Sequence, residues 1–179
     1  MRVLVRKLRS AAGNPVFVLL WLVPAWLLLG ACRLAIKLLL FRQLASRLGR
    51  AHGPAACIPL IDEAQRQRAA QIGQVVRLAA RHVPWGANCY PQALTASLLL
   101  ALYRVPHCLC FGVLRDPQDH GFSAHAWVAA GRTRVTGGEG FGRYRVLACF
   151  VSPAALAYCG RDGGHGNDQL PPGGRVDAA

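Results

Sequence analysis

The N-terminal part of the chain is a long run of apolar positions. Residues 10–32 contain no charged side chain, and residues 16–29 read VFVLLWLVPAWLLL. This run is close to the minimum length of a bilayer span, but Pro24 interrupts it. No small-residue cleavage motif follows that would make it a secretory signal. Three interpretations stay open: a helix buried in the protein, a helix lying on a membrane surface, and a true span.

The next segment mixes apolar and basic positions at helical spacing. Between residues 33 and 48, leucine and isoleucine alternate with arginine and lysine, which predicts an amphipathic helix that ends at Gly49. Residues 51–59, AHGPAACIP, contain two prolines and a glycine and therefore predict a linker. We assign residues 1–56 to a hydrophobic and amphipathic helical extension with this linker.

From residue 57 onward the pattern changes between the helical and the strand period. Asp62 is placed to cap a helix that continues to Arg81, and a second helix follows Cys89. Four later segments alternate apolar and polar positions as strands do. These segments are residues 108–114, 123–130, 133–136 and 144–150. The pattern predicts an α+β domain over residues 57–159 with a small antiparallel sheet. We expect the glycine- and proline-rich tail, residues 160–179, to be disordered.

Charge narrows the choice of partners. The chain has 21 lysines and arginines against 8 acidic residues, a net charge of +13, which favours acidic peptides, nucleic acids or anionic membranes. It lacks zinc-finger spacing, an RNP-like aromatic strand and a basic recognition helix, so we expect no nucleic-acid partner. We interpret the basic residues as a solvated rim or as a surface that faces a membrane.

Cysteine usage indicates a reducing compartment, and the expected location is the cytoplasm. Seven cysteines are an odd number, and they lack the dense spacing of a secreted disulfide scaffold. No two are separated by just two residues, so we expect neither a zinc ribbon nor a thioredoxin-type centre. Cys108 and Cys110 follow His107 and share one face of a predicted strand. We interpret them as core residues rather than metal ligands.

Cys89 and His125 are the residues from which we expect nucleophilic chemistry. A loop containing Pro84 and Gly86 leads to Cys89 at the start of a helix, where the helix dipole and free backbone N–H groups favour a thiolate. His125 lies on a predicted strand and is the candidate base. This chain order is that of the papain and transglutaminase arrangement. Taken singly, Cys89 also fits a buried apolar residue and His125 a hydrogen-bonded strand histidine.

Four short motifs carry a resemblance to a known family. They are PWGANCYPQAL at residues 84–94, FGV at 111–113, AHAWV at 124–128 and VTGG at 135–138. Together they resemble the B protein of lasso-peptide biosynthesis in its stand-alone leader-peptidase form, a cysteine protease of the transglutaminase-like superfamily. The resemblance covers residues 61–150, and the apolar, arginine-containing N-terminal region is in the style of the same family.

The resemblance implies a cysteine peptidase that cuts the leader from a ribosomally made precursor before macrolactam formation. Cys89 would attack the scissile carbonyl, with His125 as general base and then general acid. Cys89, Trp85 and Asn88 would surround the oxyanion, and Trp127 would wall the site. The family implies no cofactor and no metal. Its expected partners are the precursor leader, a separate leader-binding recognition protein and an ATP-dependent lasso cyclase, with a membrane surface as a further partner through the N-terminal helix.

The chain departs from the family pattern at the group that orients the histidine. Members often carry an aspartate on the following strand, and the counterpart here is Gly137. Glu139 is our candidate for the third catalytic residue, with a backbone or amide acceptor as the alternative. An aspartate introduced at position 137 is expected to raise turnover in that second case. Two other functions stay open: a transglutaminase-type acyl transferase, which shares the thioester intermediate, and a non-catalytic membrane-associated scaffold.

Overall fold

The computed structural model describes residues 16–45, 48–54, 57–115, 121–138 and 143–159. Within these ranges the chain forms five helices and one antiparallel sheet of five strands. The helices are α1 (Val16–Leu38), α2 (Phe41–Ala45), α3 (Glu63–Ala80), α4 (Cys89–Leu102) and α5 (Pro153–Cys159). The strands are β1 (Arg50–Ala51), β2 (Cys108–Arg115), β3 (Phe122–Ala130), β4 (Thr133–Thr136) and β5 (Arg145–Val151). The predicted α+β fold class is confirmed.

The strand order of the sheet is β1-β5-β2-β3-β4, so β2 is the central strand and lies between β5 and β3. Because side chains alternate along a strand, β2 divides its residues between two faces. One face packs under the helices, and we call it the helix-side face. Its buried residues include Leu109, Ala126, Val128 and Phe150. The opposite face, which we call the thiol-side face, carries Cys108, Cys110, Trp127, Cys149 and Val151.

The helix α3 begins as the sequence predicts. Asp62 accepts a hydrogen bond from the Gln65 backbone N–H at 2.7 Å, and the Gln65 side chain accepts one from the Asp62 N–H at 3.1 Å. This reciprocal arrangement is a capping box, which satisfies two backbone donors at the helix start. At the other end of the helix, Arg77 donates to the Val135 carbonyl at 2.9 Å and ties α3 to β4.

The helix α1 presents apolar residues on two sides. Ala25, Leu29 and Cys32 are buried in the helix-side core. A second set of large aliphatic side chains on the same helix is exposed. By length and composition alone α1 could cross a membrane, with a mean hydropathy of 2.0, although core helices of soluble proteins meet the same criterion.

One local prediction in this region is wrong, and another is correct only in part. The amphipathic helix expected over residues 33–48 does not form as a unit, because α1 continues to Leu38 and a separate short helix, α2, follows. The Gln43 side chain accepts from the Leu40 N–H and so helps to start α2. The expected linker over residues 51–59 also begins within structure, since β1 pairs with β5 and His52 donates to the Cys149 carbonyl. The tail 160–179 lies outside the described residues.

Candidate active site

Cys89 is the first residue of α4, as the sequence predicts. Asn88 is the N-cap residue, with extended backbone and no hydrogen bond from its side chain to the helix. The backbone N–H groups of a first helical turn lack intrahelical partners, and Pro91 has none to offer. Within the described part of the chain the half-buried Cys89 thiol forms no hydrogen bond. The helix start therefore combines a free thiol with uncapped backbone donors.

The loop before Cys89 is held by α1. The Trp85 ring packs against Trp26 with centroids 4.8 Å apart, and Arg33 donates a hydrogen bond to the Gly86 carbonyl. From the other side, the Gln92 amide donates to the Ala87 carbonyl at 2.7 Å. The Trp85 indole thus packs toward α1, where its N–H is buried without a hydrogen-bond partner. These contacts fix the approach of the chain to Cys89.

His125 lies on β3 with one ring nitrogen bound to backbone. Its Nε2 lies 2.8 Å from the Gly137 carbonyl oxygen, just beyond β4. A carbonyl oxygen only accepts hydrogen bonds, so Nε2 carries the proton and Nδ1 holds the lone pair of the neutral ring. Nδ1 makes no hydrogen bond within the described residues. His125 is therefore oriented in the tautomer in which Nδ1 is the base.

Two aromatic rings hold the imidazole. Tyr144 stacks on His125 with centroids 4.9 Å apart, and Trp127 lies at 6.1 Å with its ring inclined by 25°. Gly112 pairs with His125 across β2 and β3, and a Cβ there would lie 2.9 Å from the Trp127 ring. The absent side chain at Gly112 leaves room for this indole. Trp127 thus shares the face of His125, and Tyr144 is a neighbour that no local sequence pattern indicated.

The described hydrogen bonds do not join Cys89 to His125. Cys89 and Tyr90 pack against the helix-side core, and the Tyr90 ring contacts Phe111 there at 5.2 Å. The His125 ring stacks instead on Trp127 and Tyr144, which belong to the thiol-side cluster. The two side chains thus approach the sheet from different sides, and a catalytic pair requires them to come together.

The group that orients His125 is not the one the family pattern suggests. The acceptor for His125 is the backbone carbonyl of Gly137, a residue whose φ is +97°. A Cβ at Gly137 would lie 2.3 Å from the Trp127 Cβ and 3.3 Å from His125 Nε2. The space and the backbone conformation at Gly137 therefore argue against the expectation that an aspartate there would raise turnover. Glu139, the candidate third residue, lies outside the described residues.

His107 has a structural role. It is buried, its Nδ1 lies 2.8 Å from the Val105 carbonyl, and its Nε2 lies 2.9 Å from the Ser97 hydroxyl. The carbonyl accepts from Nδ1–H, so Nε2 accepts from the hydroxyl and both nitrogens are used. Burial lowers the pKa of His107. Among the residues that the structure describes, no group of three histidine, cysteine or acidic side chains is arranged to hold a metal ion.

The family follows from comparison of the whole chain. Residues 31–149 match the model of the transglutaminase-like superfamily, a span from the second half of α1 to β5 that includes Cys89 and His125. The comparison with curated proteins found no match, and neither did the comparison with solved structures. The chain belongs to the transglutaminase-like superfamily, whose members generally are cysteine peptidases and transglutaminases.

Proposed function

We propose that this chain is a cysteine peptidase that removes the leader from a ribosomally synthesised lasso-peptide precursor before macrolactam formation. The observation that carries the proposal is the state of His125. Its Nε2–H is bound to the Gly137 carbonyl, and Nδ1 is left as a base. A thiol at the open start of a helix is the matching nucleophile. The motif resemblance around both residues supplies the substrate class.

The reaction follows from these two groups. His125 Nδ1 takes the Cys89 proton, and the thiolate attacks the scissile carbonyl of the precursor. The N–H groups at the start of α4, with the uncommitted Asn88 amide, donate to the oxyanion. His125 then protonates the leaving amine, and water hydrolyses the thioester. Tyr144 and Trp127 keep the imidazole in place throughout these proton transfers.

The proposed partners follow the same resemblance. The leader is presented by a separate recognition protein, and the freed amine is passed to an ATP-dependent cyclase. The net charge of +13 favours approach of acidic peptide segments.

Cleavage of the precursor in the presence of excess recognition protein tests this assignment. We expect Cys89→Ala and His125→Ala to abolish cleavage while binding of the recognition protein persists. Cys32→Ala is the matched control, because it removes a buried thiol on α1 beside Thr95 rather than the thiol at the start of α4. Cleavage retained by Cys89→Ala would overturn the assignment. A product in which an added amine replaces water would move it to acyl transfer.

The meeting of Cys89 and His125 has its own test. If the two form a thiolate–imidazolium pair, iodoacetamide should alkylate Cys89 rapidly at pH 6. The variant His125→Ala should then react at least about tenfold more slowly, because the thiol has lost its base. Equal rates in both proteins would show that the two side chains do not meet. In that case the non-catalytic scaffold is the better interpretation.

For location, we propose that the chain lies at the cytoplasmic face of a membrane, with α1 against the lipid. The exposed aliphatic residues of α1 recur at three-, four- and seven-residue spacing, so they form one stripe along the helix. They are Val16, Leu19, Leu20, Val23, Leu27, Leu34 and Leu38, each at least 43% exposed. The exposed Lys37 lies in the last turn of the same helix and would contact anionic headgroups.

Flotation with vesicles of phosphatidylglycerol and phosphatidylcholine tests the location. The parent chain should float with anionic vesicles, and the double variant Leu20→Glu/Leu27→Glu should not. Leu60→Glu is the matched control, since Leu60 is more exposed than either leucine but lies outside α1. Equal flotation of all three proteins, or none, would contradict the assignment of the stripe to lipid.

A further inference from the structure

Three buried thiols lie on the thiol-side face, and the proposed peptidase reaction uses none of them. Cys108 and Cys110 are on β2, and Cys149 is on β5. The Cys110 and Cys149 sulfur atoms are 3.1 Å apart, with Cys110 as the donor. A disulfide bond is about 2.05 Å long, so an approach of about 1 Å would complete one.

The backbone around this pair has the geometry that a cross-strand disulfide needs. Cys110 and Cys149 are direct partners in the antiparallel register of β2 and β5. The Cys149 N–H donates to the Gly53 carbonyl and its own carbonyl accepts from the His52 N–H, so both groups point away from β2. The pair is therefore of the non-hydrogen-bonded type, in which Cα atoms are about 4.5 Å apart. That separation lies within the range of disulfides, about 4.4–6.8 Å.

A cavity gives small molecules access to the pair. It has a volume of about 440 Å³, and Cys57, Cys110, Trp127 and Tyr144 are among its lining residues. Since a water molecule occupies about 30 Å³ of liquid, the cavity admits a hydroperoxide. Cys110 faces this space, whereas Cys149 lies behind it. Of the two sulfur atoms of the pair, Cys110 is thus the one nearer to an entering oxidant.

Hydrogen bonds link the three buried thiols. The thiols of Cys108 and Cys110 both donate to Cys149, and with the Cys57 backbone they hold the pKa of Cys149 below its usual range. The same bonds raise the pKa of Cys108 and Cys110, because these two keep their protons as donors. Cys149 is consequently the sulfur atom that accepts hydrogen bonds within the group.

We propose that Cys110 and Cys149 form an oxidant-responsive dithiol that closes to a disulfide in the presence of hydroperoxides. The Cys110 sulfur attacks one peroxide oxygen, the O–O bond breaks, and the Cys110 proton passes to the departing oxygen. One water leaves, and Cys110 becomes a sulfenic acid. Cys149 then attacks the Cys110 sulfur, the S–O bond breaks, and a second water leaves. Two thiols lose two electrons and two protons, and hydrogen peroxide takes both to become two waters.

The test maps the linkage in the full-length chain. A Cys89→Ser background removes the proposed nucleophile, so failure of the peptidase assignment does not affect the result. The protein is treated with hydrogen peroxide, free thiols are alkylated, and non-reduced peptides are analysed by mass spectrometry. We expect a Cys110–Cys149 linked peptide that dithiothreitol removes, with both residues losing alkylation in equal proportion.

Two variants complete the experiment. Cys149→Ser should leave no linked peptide and should let Cys110 proceed to irreversible oxidation. Cys32→Ser, which changes a buried thiol outside the cluster, should retain the full yield of the link. If Cys149→Ser does not fold, the linkage map of the Cys89→Ser protein alone decides. A Cys57–Cys110 link, or full alkylation of Cys110 and Cys149 after peroxide treatment, would overturn the proposal.

Discussion

The two faces of the central sheet differ in chemistry although they share the same strands. The helix-side face is aliphatic and aromatic, with Leu109 and Val128 fully buried under the helices. The thiol-side face carries cysteines, stacked aromatic rings and a cavity, and His125 shares its rings. Removing an aliphatic side chain from the first face leaves a void, whereas groups on the second face have reactive or hydrogen-bonding atoms. Along β2 and β3, aliphatic core residues thus alternate with residues that carry reactive or hydrogen-bonding atoms.

A substitution at Gly137, next to the thiol-side rings, is expected to have the largest effect on precursor cleavage. Gly137→Asp should lower precursor cleavage by on the order of tenfold or more, because the new Cβ displaces Trp127 and moves the carbonyl that orients His125. Gly138→Asp is the matched control, since Gly138 also has positive φ but no atom within 4 Å of its added Cβ. It should stay within a few-fold of the parent. Increased turnover in Gly137→Asp would show that a carboxylate, not the carbonyl, is the better acceptor.

Substitutions at two neighbouring positions of β2 compare how much each face of the sheet contributes to the free energy of unfolding. Leu109→Ala should lower the free energy of unfolding by about 2–5 kcal/mol, as for a fully buried leucine. Cys110→Ala, one residue further and on the other face, should cost about 1 kcal/mol and keep most of the cleavage activity. Denaturant titration of both variants gives the comparison. Equal losses would mean that the thiol-side face is as important to stability as the helix-side face.

A pH titration tests the burial of His107 on the helix side of the molecule. Burial lowers the pKa of His107, so below the unfolded value of about 6.5 the unfolded chain binds more protons than the folded one. The free energy of unfolding should therefore fall as the pH decreases from 6.5 toward the lower folded pKa. His107→Gln should flatten that slope, and substitution of the exposed His82 by Gln should not. Ring NMR signals of His107 that titrate at the usual pH would contradict this expectation.

The smallest effect is expected at Glu139. Because the Gly137 carbonyl already accepts from His125, Glu139→Gln and Glu139→Ala should leave steady-state cleavage within a few-fold of the parent. The measurement uses the same precursor and excess recognition protein as the other variants. A loss of tenfold or more in both would establish Glu139 as an orienting residue and make the carbonyl contact secondary.

The sequence predicted correctly those structural elements that depend on nearby residues. The Asp62 cap, the start of α4 at Cys89 and the alternation around His125 each depend on residues a few positions apart. The contacts that it missed depend on register between distant strands. Nothing near Cys110 indicates that Cys149 is its partner, and nothing near His125 indicates Tyr144.

Two further misses have the same physical origin. The pairing of β1 depends on β5, which lies about a hundred residues later, so a proline- and glycine-rich segment looked like a linker. The continuous helix α1 depends on its packing against α3 and α4 rather than on its own periodicity, which changes at Arg33. Tertiary contacts therefore decided the structure where local patterns were ambiguous.

Because the group that accepts the His125 hydrogen bond is a backbone carbonyl, side-chain mutagenesis does not detect it directly. Replacing each side chain in turn by alanine does not remove a carbonyl, so such a scan passes over the orienting atom and reports only the steric cost at Gly137. Replacing the peptide bond that follows Gly137 by an ester would instead weaken this oxygen as an acceptor while keeping every side chain. The contribution of this single oxygen atom is accessible to chemical synthesis of the backbone.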